Sequence, residues 1–173
     1  MTIKKIIVLI GPKGSGKSFI GTLFQKVFQI KFLRVEDWAK VVKKNRNINN
    51  ENYLKEVFHV IEKGVRESLK QNDAIVFEST GLTVYFDDML QSLKKDYSLN
   101  TIKIIAEKDL CLKRIKTRDQ SIHINVSDKQ VNMINDAVYK KNIETDFEID
   151  NNNATKEELL EQISEIVKKV ITH

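Results

Sequence analysis

One cysteine, Cys111, one proline, Pro12, and six glycines are all that the 173-residue chain contains of these types. A lone cysteine excludes an intramolecular disulfide framework and any zinc site built from several cysteines. The three histidines, His59, His123 and His173, are scattered, with no metal-ligand spacing among them. Long apolar runs are missing too, and crossing a bilayer takes roughly 20 apolar residues. The run Ile6 to Ile10 follows Lys4 and Lys5, but it is too short for a secretory signal and leads into Gly11-Pro12-Lys13-Gly14, not a small-residue cleavage site. A soluble, cytoplasmic protein with no membrane partner is expected. A strong charge imbalance is also absent. With 29 Lys+Arg against 24 Asp+Glu, the net +5 suits an anionic ligand such as a nucleotide and makes a poor case for nucleic acid.

What the chain has is apolar content, 41%, beside 31% charged residues, enough for a folded core. Its length suits one domain spanning residues 1–173. Short β-type runs at Ile3–Ile10, Ile30–Val35, Ala74–Phe77, Thr101–Ala106 and Phe147–Asp150 alternate with segments of helical period. The helical stretches include Lys17–Phe28, the face marked by Leu54, Val57, Ile61, Val65 and Leu69, then Val84–Leu93 and Asp109–Arg118. Ser127 with Gln130, and Thr155 with Glu158, are spaced as capping boxes that open two further helices. Alternating strands and helices predict an α/β fold, a parallel sheet covered on both faces.

Between the first strand and first helix lies Gly11-Pro12-Lys13-Gly14-Ser15-Gly16-Lys17-Ser18, followed by Phe19. It satisfies G-x-x-x-x-G-K-[ST] at every defined position, in the strand–loop–helix setting the pattern requires. Glycines allow successive backbone N–H groups to converge on phosphate oxygens, and the helix start adds its positive end. Lys17 is the expected ligand of the outer phosphates, and the Ser18 hydroxyl the expected ligand of Mg²⁺. ATP with Mg²⁺ is the expected cofactor pair.

In this loop, and in the order and size of its elements, the chain resembles the small P-loop kinases, the group of shikimate, gluconate, dephospho-coenzyme A and nucleoside monophosphate kinases. The resemblance implies a three-layer α/β/α fold with a five-stranded parallel sheet in the order 2-3-1-4-5. It also implies transfer of the ATP γ-phosphate to a small molecule, nucleoside or nucleotide. A lid is expected at about residues 114–127, with Arg118 contacting phosphate and Arg114 placed to lie on adenine; on one helix the two share a face. Asn152, Asn153 and Ala154 correspond to the loop that borders the base. His123, in the polar run Asp119–Asn125, is a candidate contact to phosphate or acceptor.

Glu78 ends the third strand, where open parallel sheets bind ligands. It is a candidate either to hold Mg²⁺ or to take the acceptor's proton. Gly81 would let a substrate approach the backbone, although shikimate kinases carry a glycine triplet here. Those enzymes also have two aspartates one residue apart after the second strand. Arg34 and Glu36 replace them in this chain, with Asp37 next, which argues against shikimate as the acceptor. Arg34 could bind an anionic acceptor, and Trp38 could stack on a ring or pack a short helix with Val41 and Val42. A monomer or homodimer that binds ATP and a small-molecule acceptor is expected. The alternative is a nucleotide-binding regulatory module or slow NTPase with no transfer substrate.

Overall fold

The computed structural model describes residues 2–119, 121 and 123–172. Of the expected lid, Gln120 and Ile122 therefore lie outside the described residues, as does His173. The elements run β1 (Lys5–Ile10), α1 (Lys17–Phe28), β2 (Lys31–Leu33), α2 (Val35–Lys43), α3 (Glu51–Gln71), β3 (Ala74–Ser79), α4 (Val84–Lys94), β4 (Ser98–Ile105), α5 (Lys108–Thr117), α6 (Asp128–Lys141), β5 (Phe147–Asp150) and α7 (Lys156–Ile171). The sheet is parallel throughout, in the order β2-β3-β1-β4-β5.

Strand β1 is central because its side chains are apolar on both faces. Ile6, Val8 and Ile10 alternate with Ile7 and Leu9, and all five are buried. The first set joins Val57, Val65 and Leu69 of α3 and Phe86 of α4 in one core layer. The second joins Ile20 and Phe24 of α1 and Leu159 and Ile163 of α7 in the other. Chain order reverses at β1, flanked by β3 and β4, so the carboxyl ends of β1 and β3 border the crevice that open parallel sheets use for ligands.

Both expected capping boxes form, at Ser127–Gln130 and Thr155–Glu158. Several boundaries differ from the sequence reading. Strand β2 stops at Leu33, because the buried Val35 already opens α2. Strand β4 begins at Ser98, its early residues pairing with Lys5 to Ile7 of β1. Helix α5 ends at Thr117, so Arg118 is not on one helical face with Arg114; its φ of −80° and ψ of 159° are extended. Trp38 packs its ring over Gly64 of α3, where a Cβ would come within 2.5 Å of it, and Val42 is buried while Val41 is 77% exposed. Among the described residues, no helix is long and apolar enough to cross a membrane.

Candidate nucleotide and phosphoryl-transfer site

The loop between β1 and α1 is curled by Gly14 (φ +83°) and Gly16 (φ +95°), a conformation L-residues with side chains resist. Close approach matters as much as dihedral freedom. A Cβ on Gly14 would lie 2.3 Å from the Cys111 carbonyl oxygen, and one on Gly16 would lie 2.3 Å from Asn151 Nδ2. The glycines thus let α5 and the end of β5 press directly against the loop.

Two buried asparagines hold that loop from outside. Asn135 of α6 accepts from the Lys13 N–H (2.8 Å) and donates to the Lys13 carbonyl (3.0 Å), as a neighbouring strand would. Asn151 donates through Nδ2 to the Ser15 carbonyl (2.8 Å). The sequence reading missed Asn135, and for Asn151 it offers only a contact to the base, not this tie to the phosphate loop. Asn135 does leave a signal: it lies four residues after Val131 on an otherwise apolar stripe, and a polar residue there needs a partner. Asn151 carries no comparable mark in a run of three asparagines. We expect Asn135→Ala to lower unfolding stability by about 1–3 kcal/mol, since it strands two buried backbone groups; urea denaturation followed by circular dichroism measures it.

Lys17 is buried and donates through Nζ to the carbonyls of Gly11 (2.9 Å) and Pro12 (2.8 Å). Burial pushes its pKa down to about 8, and Lys13 adds to the effect while Glu78 opposes it. Ser18 Oγ donates to both oxygens of Glu78, at 2.9 and 3.0 Å. The strand-end acid and the first-turn hydroxyl are therefore a pair, as a hydroxyl and a carboxylate serving one divalent cation must be. Among the described residues no cluster of three or more His, Cys, Asp or Glu side chains is placed to hold a metal. A Mg²⁺ ion here would depend on Ser18, Glu78, water and phosphate oxygens, the usual sparse protein shell for this ion.

Lys13, Lys17, Ser18, Phe19, Glu36, Glu78, Arg114, Arg118 and His123 all border one cavity of about 510 Å³. Arg118 Nε is buried there without a hydrogen-bond partner among the described residues, although Glu36 and Glu78 lie near enough to raise the guanidinium's pKa against the lowering by burial. An unpartnered buried cationic donor is costly unless an anion answers it. Burial likewise lowers the Lys13 ammonium, partly offset by Glu36 and Glu78.

Glu36 fastens the segment expected to form a lid. It accepts from the Ile124 N–H (2.7 Å) and meets His123 Nδ1 at 3.0 Å. Burial pushes its carboxyl up, but the Ile124 N–H, His123 and the Lys13 charge outweigh that and hold it below the usual carboxylate range. Lys40 of α2 adds a bond to the Ser121 carbonyl (3.1 Å). His123 and Glu36 are thus committed to each other at the cavity wall.

Other sequence candidates stand elsewhere. Arg34 and Asp37 pair with each other at 3.1 Å on the surface, and neither borders the cavity. Gly81 (φ +77°) makes room for Ile143, Ile10 and Phe86 instead of lining the cavity. Arg114 does border it, but its guanidinium donates to the carbonyls of Asn151 (2.7 Å), Asn152 (3.4 Å) and Ser15 (3.4 Å), tying the post-β5 loop to the phosphate loop. Asn152 caps the Glu107 N–H through Oδ1 (2.7 Å), Asn153 is exposed, and Ala154 packs on the apolar core.

No protein-family profile matches the chain, and no curated protein matches it. Solved structures do. A gluconokinase from Sinorhizobium meliloti superposes with a TM-score of 0.66 at 14% identity, covering 99% of this chain and 98% of its own. Shikimate kinase from Aquifex aeolicus gives 0.62 at 20% identity, covering 96% and 98%. A chain of the Pnkp1/Rnl/Hen1 RNA repair complex gives 0.66 at 14% identity, over 84% of this chain and only 48% of that one. At these identities the likeness is one of fold: the chain has the α/β fold of the P-loop kinases, with the expected sheet order.

Proposed function

We propose that the protein is a Mg·ATP-dependent phosphotransferase acting on a small hydroxyl compound. The reading rests on one arrangement: a phosphate loop, a Ser18–Glu78 pair and Arg118, whose buried Nε lacks a hydrogen-bond partner among the described residues, border the same cavity. The loop amides and Lys17 bind the triphosphate. Ser18 and Glu78 are the groups that would hold Mg²⁺, which neutralises charge on the phosphates when bound. Arg118 answers the charge spread over the equatorial oxygens as the phosphoryl group moves. In the transfer, the acceptor oxygen–phosphorus bond forms, the bond from phosphorus to the β–γ bridging oxygen breaks, and ADP leaves with its electron pair. Glu78 would reach the Mg²⁺ through a water, leaving a carboxylate oxygen free to take the hydroxyl proton, whereas both oxygens of Glu36 are already engaged by the Ile124 N–H and His123. His123, Ile124 and Glu36 hold the lid against α2, which limits access of water to the transferred group.

The test is transfer of the γ-phosphate from Mg·ATP to panels of nucleosides, nucleotides, sugars and small acids, against the rate of ATP hydrolysis alone. Transfer well above hydrolysis is the expected result. Tight ATP binding with no transfer to any acceptor would favour a regulatory module or slow NTPase instead.

A further inference from the structure

The cavity is lopsided in charge. Its four lysine and arginine side chains, Lys13, Lys17, Arg114 and Arg118, all come from the phosphate loop, α1, and α5 with the residue that follows it. None comes from residues 30–94, which supply much of the remaining wall through α2, the loop before α3, α3, the end of β3 and α4 with the residues before it, beside His123, Ile124, Val126 and Ile134. The three arginines of this stretch are engaged elsewhere. Arg34 pairs with Asp37, Arg46 with Glu56, and Arg66 with Glu62 and Asp96.

The face that α3 turns to the cavity is largely apolar. Leu54, Val57, Phe58 and Ile61 present successive turns of α3 to the cavity, with Phe77 of β3 and Met89 of α4. Of the hydroxyls bordering this region, two already serve the backbone: Ser79 Oγ accepts from the Gly81 N–H, and Thr83 Oγ1 from the Phe86 N–H. A carboxylate or phosphate placed against this face would be desolvated with no cation to receive it, and an open-chain polyol would lay hydroxyls along it, where the polar side chains of this segment, Glu36, Asn49, Tyr53 and Thr80, can pair only some of them. A flat apolar ring would find the contacts that such walls supply.

We infer that the acceptor is an uncharged, ring-bearing alcohol, either a nucleoside or a simple aryl or alicyclic alcohol, and not a carboxylic acid, a phosphate monoester or an open-chain polyol. The inference rests on the phosphotransferase reading of the same site.

Matched pairs differing in charge test it: shikimate against its methyl ester, 4-(hydroxymethyl)benzoate against benzyl alcohol, and uridine 5′-monophosphate against uridine, with gluconate as the open-chain polyol. Phosphorylated product is measured with Mg·ATP, and ligand binding by NMR line broadening with and without nucleotide. The neutral member of each pair should exceed its charged partner at least tenfold, in kcat/KM where transfer occurs and in affinity where it does not. A preference for the charged members or for gluconate overturns the inference, and so does the absence of binding by every neutral member. Leu54→Arg, which puts a cation on the half-buried α3 face, should reduce or reverse the neutral preference; an unchanged preference counts against the wall assignment. ATP binding, measured in the same samples, separates the two failures. Its loss sinks the phosphotransferase reading, whereas intact ATP binding with a charged acceptor sinks only this one.

Discussion

Replacing Arg118 with alanine should lower kcat about 10²-fold or more, with ATP affinity changing far less. Removing a preorganised donor aimed at developing charge typically costs that much in turnover. The asymmetry follows from the bonds that the side chain lacks. Its Nε has no hydrogen-bond partner among the described residues, so truncating it breaks no hydrogen bond there and removes chiefly its attraction to Glu36 and Glu78. Arg114 is the internal control, because its guanidinium joins three backbone carbonyls around the phosphate loop. Arg114→Ala should raise KM for ATP and lower stability together, whereas Arg118→Ala should change kcat almost alone. Steady-state kinetics with saturating acceptor, beside calorimetric ATP binding, distinguishes them. Equal effects of the two substitutions on KM would refute the division of labour.

That division was only half legible in the sequence. The phosphate loop could be read residue by residue because a contiguous segment builds it, with spacing fixed by backbone geometry. The sheet order followed from the resemblance, and the buried alternation along β1 agrees with it. The arginines were placed in the right region but on the wrong geometry. Helical periodicity carried the reading through Arg118, whereas the helix ends at Thr117 and the chain turns extended, which leaves Arg114 bonded to backbone carbonyls and Arg118 Nε without a partner among the described residues. Arg34, Asp37 and Gly81 were drawn toward the site by their position after strands. A short β2 and an early α2 leave Arg34 and Asp37 paired on the surface, and a positive φ at Gly81 is used for packing. Asn135 and Asn151 act over separations of 122 and 136 residues, which no local pattern encodes. The Glu36–His123 contact spans 87 residues and became visible only when lid and α2 met in space.

The second large effect concerns Lys17, and its sign differs between binding and stability. Free in solution its pKa would be 10.5, and in the folded chain burial lowers it to about 8. Below pH 8 both folded and unfolded chains hold the proton, and burying the ammonium costs about 3 kcal/mol of stability. Between about 8 and 10.5 the unfolded chain holds more protons than the folded one, so this contribution becomes less unfavourable as pH rises. Lys17→Met removes the buried charge but also the two bonds to Gly11 and Pro12, so the melting temperature at pH 7 should stay level or rise, not fall. Nucleotide binding should move the other way. Truncating one partner of a buried charge-assisted pair costs about 2–5 kcal/mol, so Lys17→Met should weaken ATP binding roughly 30-fold to several thousandfold. The ammonium is the form that meets phosphate, and the phosphate charge raises its pKa again. Wild-type affinity should therefore fall about tenfold per pH unit above about 8, with proton uptake on binding, while the methionine variant loses most of that slope and keeps only what Lys13 contributes. Titration calorimetry from pH 7 to 10 in buffers of different ionisation enthalpy reads both quantities. A wild-type affinity that is independent of pH across that range would show that Lys17 is not the group carrying the triphosphate.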